Sequence, residues 1–528
     1  MTNSSDNNGQ LNDSKCRLNC IILSVYLFFI LIGQLIVSDD TWCRPYLIHG
    51  TLMVLVISIV VSPVLIKLFS KLSIDHNKRF ERMPLWGLRM FFYGIPFVVL
   101  FLYYLGYYPG GLSNDFLAQY EQYYYNHFGD WHPVIQTLFA VCLPLKITGG
   151  WRGSIALFQI IEFSAVLGYS FDVVYKWAGK KYLIGTMLIL LCNPYLYCFV
   201  LNLWKDVSFS MGVMLLIAYS LNVYFTKGKW LEKKSNMVVF IAVFVLTTLF
   251  RHNSILFTIP LLLALFFCVS RKRFIAVLIA SAVVCALIKG PLYMALKVED
   301  PGKRQVETLG LPLTVIGAAV QLAPEEQDED VLEFAYRIAP QRVWEKYYTL
   351  GSFNSIKWMS ATNIDLVNEY DPVDVIVMMM KCIKNSPNAS LASLVTLTDG
   401  VYTITHPHYM DMKPTLIKNY FGFLKNGTDN ILTDTFYAHR CFVEEYCPRL
   451  FLYYGVYLLV LVISVLSKSR LNKKEDWKKI CFVVPLLAYV FGTSLLLTGF
   501  NDCPRYFFCI ELLVPMLLVF FYRKEEVR

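Results

Sequence analysis

At 528 residues, 56% hydrophobic and only 16% charged, with a mean hydropathy of +0.48, the chain is not composed like a soluble globular protein. Its net charge of +9 is distributed over short loops without a binding motif, which argues against a nucleic-acid partner. Cys142, Cys192, Cys198, Cys268, Cys285, Cys481 and Cys509 fall within apolar segments as small hydrophobes. Cys441 and Cys447 lie close together in an expected external segment, where a disulfide is one reading. No C-x-x-C pair or Cys/His spacing marks a metal site.

Apolar runs of about 17–25 residues are long enough to cross a bilayer core as helices. Twelve are expected, near 20–37, 47–69, 88–107, 152–174, 182–200, 207–226, 236–250, 254–270, 274–291, 450–467, 480–499 and 506–522. The polar start 1–19 followed by 20–37 has the outline of a signal peptide. It lacks a small-x-small cleavage site and leads straight into a second span, so an uncleaved first helix is expected. Basic residues cluster at Lys71/Lys78/Arg79/Arg82, Lys176/Lys180/Lys181, Lys227/Lys229/Lys233/Lys234, Arg271–Lys272–Arg273, 468–479 and Arg523-Lys524. The positive-inside rule assigns these loops, and with them both termini, to the cytoplasm.

Segment 107–133 has the opposite character. It carries Asp115, Glu121 and Asp130, two histidines and a run of tyrosines, with no Lys or Arg. Such a loop is expected on the outer face, and carboxylates next to a bilayer are candidate functional groups. Counting 133–147 as a further span would put the lysines of 176–181 outside. That segment is short and holds Pro133 and Pro144, so it is expected as a helix lying along or dipping into the outer interface. The outside segments are then 38–46, 108–151, 201–206, 251–253, 292–449 and 501–505. Three units follow: an N-terminal membrane module 1–291 with the long external loop 108–151, one external, mainly α domain 292–449, and C-terminal spans and tail 450–528.

Asp115 follows Gly110-Gly111 and Ser113-Asn114, a turn-prone stretch that would bring a carboxylate to the top of a helix bundle. There it can act as a general base; the plainer reading is an Asx cap for a helix over 116–125. His132-Pro133 ends the loop, beside Trp131, which reads as an aromatic-belt residue. Lys205-Asp206 sits in a short outside turn, either capping the next helix or presenting a second carboxylate to the cavity of Asp115. Arg251-His252-Asn253 interrupts a long apolar stretch, and Arg505-Tyr506 follows the last external turn. Both arginines would lie at the outer surface, binding a phosphate through paired donors or snorkelling to headgroups. His406-Pro407-His408 has no accompanying ligand set for a metal, and Asn388 and Asn426 open glycan-acceptor triplets.

In order, side and spacing these residues resemble the C-type (GT-C) glycosyltransferases, such as the protein O-mannosyltransferases and the aminoarabinose transferases of lipid A. The matching run is Asp115, then His132-Pro133-Val134, then Gly150-Trp151-Arg152, with Asp206 in a later short turn and Arg505-Tyr506 opening a late span. The similarity covers 88–291 and, more weakly, 500–522. The mannosyltransferases have Asp-Glu where this chain has Asn114-Asp115, so only Asp115 inherits the base role. Tyr108-Pro109-Gly110 with Asn114-Asp115 and His132-Pro133 also looks like a group of membrane proteins from Gram-positive bacteria.

The resemblance implies an inverting transfer from a polyprenyl-phosphate sugar donor to a cell-envelope acceptor on the external face. Asp115, Asp206 and His132 would be the catalytic set, and Arg505, Arg251 and Lys205 would hold the donor phosphate. Asn114, Tyr506 and His252 would lie nearby. A divalent cation, as in the oligosaccharyltransferase relatives, is compatible with the pattern but not required by one loop carboxylate. Two other classes remain: a transporter or flippase for a lipid-linked sugar, and a scaffold whose 292–449 domain holds a partner.

Overall fold

The computed structural model describes residues 4–38, 46–74, 85–300, 302, 305–405, 412–423, 430–469 and 473–523. His406-Pro407-His408, the Asn426 triplet, Lys78, Arg79, Arg82 and Lys524 lie outside the described residues. Among the described residues the chain is helical, with isolated backbone bridges and no β-strand.

Among the described residues six helices are long and apolar enough to cross a membrane: Arg17–Ile36, Gly50–Lys71, Trp86–Gly106, Ser154–Leu191, Lys205–Phe225 and Arg271–Ala295. The pair Phe500–Phe507 and Cys509–Tyr522, bent by 44°, makes a seventh if it is one span. The protein is therefore an α-helical membrane protein. The remaining expected spans coincide with shorter or broken helices, and the breaks have local causes. Gly179, at φ 80° and ψ 177°, leaves helical geometry inside Ser154–Leu191 and separates the expected spans 152–174 and 182–200. Pro194, with no N–H, starts Pro194–Leu201 under an Asn193 cap. Lys234–Phe250 and Ile255–Phe266 are parted by the turn at Arg251.

Lys205–Phe225 is the central helix, buried over most of its length, and at about 1.5 Å per residue it spans roughly 30 Å. Basic residues among the described loops lie near its Phe225 end. Arg523 lies over the rings of Trp177 (4.6 Å) and Phe225 (4.5 Å), and Arg273 pairs with Glu232 at 3.1 Å. Its Lys205 end meets the acidic loop.

The expected short helix forms as Val134–Thr137, a π-turn Leu138–Cys142 and Leu143–Ile147. Pro144 has no N–H to return to Ala140, so the ladder widens and Leu143 N–H reaches Leu138 O instead. At roughly 1.5 Å per residue the whole element is shorter than a bilayer core of about 30 Å.

Packing divides 292–449 in two. Gly310–Leu322 sits at the centre of a separate apolar core with Val331, Phe334, Trp344, Phe353 and Val375. Trp344 Nε1 donates to the carbonyls of Ala335 and Ala339, both at 3.0 Å, so the indole is buried without an orphan donor. Pro387–Tyr402 and Ile431–Tyr446 instead share the bundle core through Leu397, Val401 and Val443. Tyr402 packs on Gly33 of the first helix, and Phe436 stacks on Tyr103 with centroids 3.6 Å apart. Cys441 and Cys447 are free thiols, one within Ile431–Tyr446 and the other at its C-cap.

Candidate functional site

Backbone geometry brings the acidic loop to the central helix. Gly110 adopts φ +112°, a conformation that a side chain would strain. Gly111 N donates to Leu201 O at 2.9 Å and Leu203 N donates to Gly111 O at 3.0 Å. A Cβ at Gly111 would collide with the Asn202 side chain, so this close pairing needs glycine. Gln159 Nε2 and Asn202 Nδ2 tie the same turn to neighbouring carbonyls. The pairing sets the start of Asn114–Tyr125 beside the start of Lys205–Phe225.

The cap of Asn114–Tyr125 is Ser113, whose Oγ accepts from Phe116 N at 3.2 Å. The Asx-cap reading of Asp115 is corrected: Ser113 already satisfies the helix start, and Asp115 engages cations instead. Its Oδ2 accepts from Arg505 Nη1 at 3.1 Å and lies 3.6 Å from Lys205 Nζ. Lys205 Nζ is also 3.3 Å from Nδ1 of the buried His132. Burial alone would raise the Asp115 pKa; the charges of Lys205, Arg505 and His132 outweigh it and hold the carboxyl well below the usual carboxylate range.

Asp206 does not cap its helix either, because the N-cap is Trp204 with no side-chain bond. Nor does it face an open cavity. Its side chain is 1% exposed, and Oδ1 pairs with Arg251 Nη1. Its Oδ2 has no hydrogen-bond partner in the structure. Arg251, 5% exposed, also donates to Tyr489 Oη at 3.3 Å and lies over the Tyr506 ring at 4.3 Å. Asn253 Nδ2 fixes its turn by donating to Thr493 Oγ1 at 3.1 Å. The pair Asp206–Arg251 is therefore sealed beneath the site, joined through Oδ1 and withdrawn from water. Direct phosphate binding by Arg251 and snorkelling both disagree with this burial.

Arg505 is the accessible arginine, and Asp502, three residues earlier, orients it. Asp502 Oδ1 accepts from Arg505 Nε at 3.2 Å and from Nη2 at 3.0 Å. The other Asp502 oxygen accepts from Asn354 Nδ2 at 2.8 Å, so the insert reaches the site. Asn354 N donates to Thr498 O at 3.1 Å, and Ser352 bridges Gly499, which seats the insert on the loop before Arg505. Tyr506 Oη accepts from Arg505 Nη2 at 3.1 Å.

Asp115, His132, Lys205, Asp206, Arg251, Arg505 and Tyr506 thus come together from separate parts of the chain. Asn114 is exposed at the helix start and is not a hydrogen-bond partner of the cluster. His252 turns away: its Nε2 is 3.1 Å from Asp130 O, in a second cluster where Asp130 meets Lys289 (2.7 Å) and Tyr293 Oη (3.0 Å). Sequence reasoning missed Asp502, Asn354 and Tyr489. For Asp502 a signal exists, its i,i+3 spacing to Arg505; Asn354 and Tyr489 carry none.

Among the described residues no group of three or more His, Cys, Asp or Glu side chains gathers to hold a metal ion. The carboxylates of the site face Lys and Arg nitrogens, a donor set that suits an anion rather than a cation. Chemically, the cluster offers two mostly buried cations for an anionic group and one partly exposed carboxylate for a proton. No family model, curated protein or solved structure matches the chain.

Proposed function

We propose that this protein is a polytopic cell-membrane glycosyltransferase that moves a sugar from a polyprenyl-phosphate carrier to a cell-envelope acceptor on the extracytoplasmic face. The observation that carries this reading is the convergence of Asp115 with Lys205 and Arg505 at the end of the bundle opposite the basic loops. Asp115 takes the proton of the acceptor hydroxyl, which attacks the anomeric carbon from the side opposite the leaving phosphate, inverting it. Lys205 and Arg505 face the phosphate, where charge grows in the transition state. Asp206 and Arg251 support them from below, and His132 sets the position of Lys205. The same reading takes a twelve-span topology with both termini cytoplasmic, which rests on the placement of the basic loops in the sequence.

The test is sugar analysis of cells producing wild type or Asp115→Asn at matched membrane levels. Loss of a glycosylated product together with build-up of its polyprenyl-phosphate donor supports the reading; a fully active Asn variant sinks it. Glu511 favours a second reading, a transporter for a lipid-linked sugar. It is 1% exposed within Cys509–Leu517 and accepts from Asn193 Nδ2 at 2.6 Å, and carboxyls inside a bundle often mark a transport path. Transport that depends on Glu511 but not on Asp115 would favour it.

A further inference from the structure

The resting arrangement of the site contains a chemical conflict. A general base works best when its pKa lies near the working pH, yet Asp115 shares one oxygen with two cations. A carboxylate so neutralised takes a proton from a hydroxyl poorly. Release of these cations would restore its basicity, and the geometry selects which contact gives way.

Three carboxylates face the cations, and they differ in how they are held. Asp206 is sealed at 1% exposure against Arg251. Asp502, at 15%, is fixed from behind by Asn354 and grips two nitrogens of Arg505. Asp115, at 30%, is the most accessible of the three, and the cluster holds it through cations. Arg505 is correspondingly divided: Nε and Nη2 stay on Asp502, while Nη1 alone meets Asp115. Removing Asp115 would therefore leave Arg505 aimed, with Nη1 and the Lys205 ammonium open to an incoming anion.

We infer that Lys205 and Arg505 alternate between two partners, Asp115 in the resting protein and the phosphate of a bound lipid carrier during transfer, so that phosphate binding frees Asp115 to serve as base. This rests on the glycosyltransferase reading above and adds an order to it, donor before acceptor. The groups facing Asp115 are Lys205 and Arg505 directly, His132 behind Lys205, and Asp502 and the Asp206–Arg251 pair beyond them. Exchange removes two cations from Asp115 and adds an anion beside it, and both changes raise its affinity for a proton. In the step itself the acceptor O–H bond breaks and its proton passes to Asp115. The acceptor oxygen bonds to the anomeric carbon, and the electron pair of the broken anomeric C–O bond remains on the phosphate. The extra negative charge appears there, opposite Lys205 and Arg505.

The test uses the full chain in lipid nanodiscs and farnesyl phosphate as the probe. A water-soluble carbodiimide modifies protonated carboxyls, and mass spectrometry reads Asp115 labelling at pH 5 against the exposed Glu299. Farnesyl phosphate is expected to raise relative Asp115 labelling by about tenfold or more, one unit of pKa. Lys205→Gln is expected to raise it without ligand and to shrink the ligand's further effect. Inorganic phosphate forms a second arm: an equal increase means that the phosphate group suffices, and none means that the lipid tail is needed to place it. Binding of farnesyl phosphate, measured separately by thermal shift, with unchanged Asp115 labelling overturns the exchange and leaves the glycosyltransferase reading standing. Absence of binding overturns both. The wild-type comparison needs no variant, so poor membrane insertion of Lys205→Gln does not weaken it.

Discussion

Lys357 in the insert is 3% exposed and ends on one carboxylate, Glu307, whereas Lys205 at the bundle end shares Asp115 with Arg505 and lies 3.3 Å from His132. Both are lysines withdrawn from water beside an acid. Glu307 is 38% exposed and keeps contact with solvent, and it is the one carboxylate paired with Lys357. At the bundle end the partners are shared, and the most accessible carboxylate is also the one with two cations on it. A lysine with one private partner ties two segments together; a lysine that shares its partner is placed to exchange it. Burial of charge alone does not distinguish structure from function, but the number of partners that a charge shares does.

The largest effect should come from the shared cluster. Asp115→Asn is expected to lower sugar transfer by about 10²–10⁴-fold, measured per unit of membrane-inserted protein. Insertion itself should not change, because Ser113 caps the helix independently. Equal activity in wild type and variant would erase the contrast between the two lysines.

Next comes the sealed pair. Arg251→Met leaves Asp206 charged and buried, a cost of about 3–5 kcal/mol, seen as a lower thermal midpoint and less monodisperse protein in detergent. Adding Asp206→Asn should restore part of it, since the orphaned charge is then gone. If the single variant is as stable as wild type, Asp206 has another partner and the sealed-pair assignment fails.

In the insert, Lys357→Met should cost about 1–3 kcal/mol of stability with unchanged transfer per folded molecule, because Glu307 can hydrate. A selective loss of transfer would move Lys357 into the functional class. The exposed pair His127–Glu299, at 2.9 Å, is expected to contribute at most about 1 kcal/mol, so His127→Gln should be nearly silent in a melting experiment.

The pH dependence sharpens the same comparison. Neighbouring cations depress the folded-state pKa of Asp115. Its contribution to stability is therefore present above its unfolded value and is lost as pH falls through the lower folded value. Lys205→Gln raises that folded value, so the contribution shrinks and its loss is complete at a higher pH. Acid titration of the melting temperature in the two proteins checks the direction. A loss that ended at a lower pH in the variant would mean that Lys205 is not a counter-ion of Asp115.

Much of the site was legible before any fold was known, and the reason is local. Polar residues set in apolar sequence are expensive in a bilayer, so Asp115, Lys205-Asp206, Arg251 and Arg505 stand out by contrast. Proline and glycine marked the short helix at 133–147 and the turn before Asp115. Asp502 was in reach through its spacing to Arg505. Asn354 was not, because an asparagine in a polar insert has no contrast with its surroundings and acquires its role only when Ser352 bridges Gly499.

By itself, then, the sequence determined that the chain is helical and membrane-bound, which end of the bundle is acidic, and which charged residues must find partners. Those follow from hydropathy, loop charge and the cost of an unpaired charge, all properties of short stretches. Only the tertiary structure decided the pairings: Asp206 to Arg251 rather than to a cavity, His252 to Asp130 rather than to the site, and Arg505 divided between Asp502 and Asp115. Such choices depend on how loops cross at the bundle end, where shifts of a few ångströms separate a sealed ion pair from an accessible one.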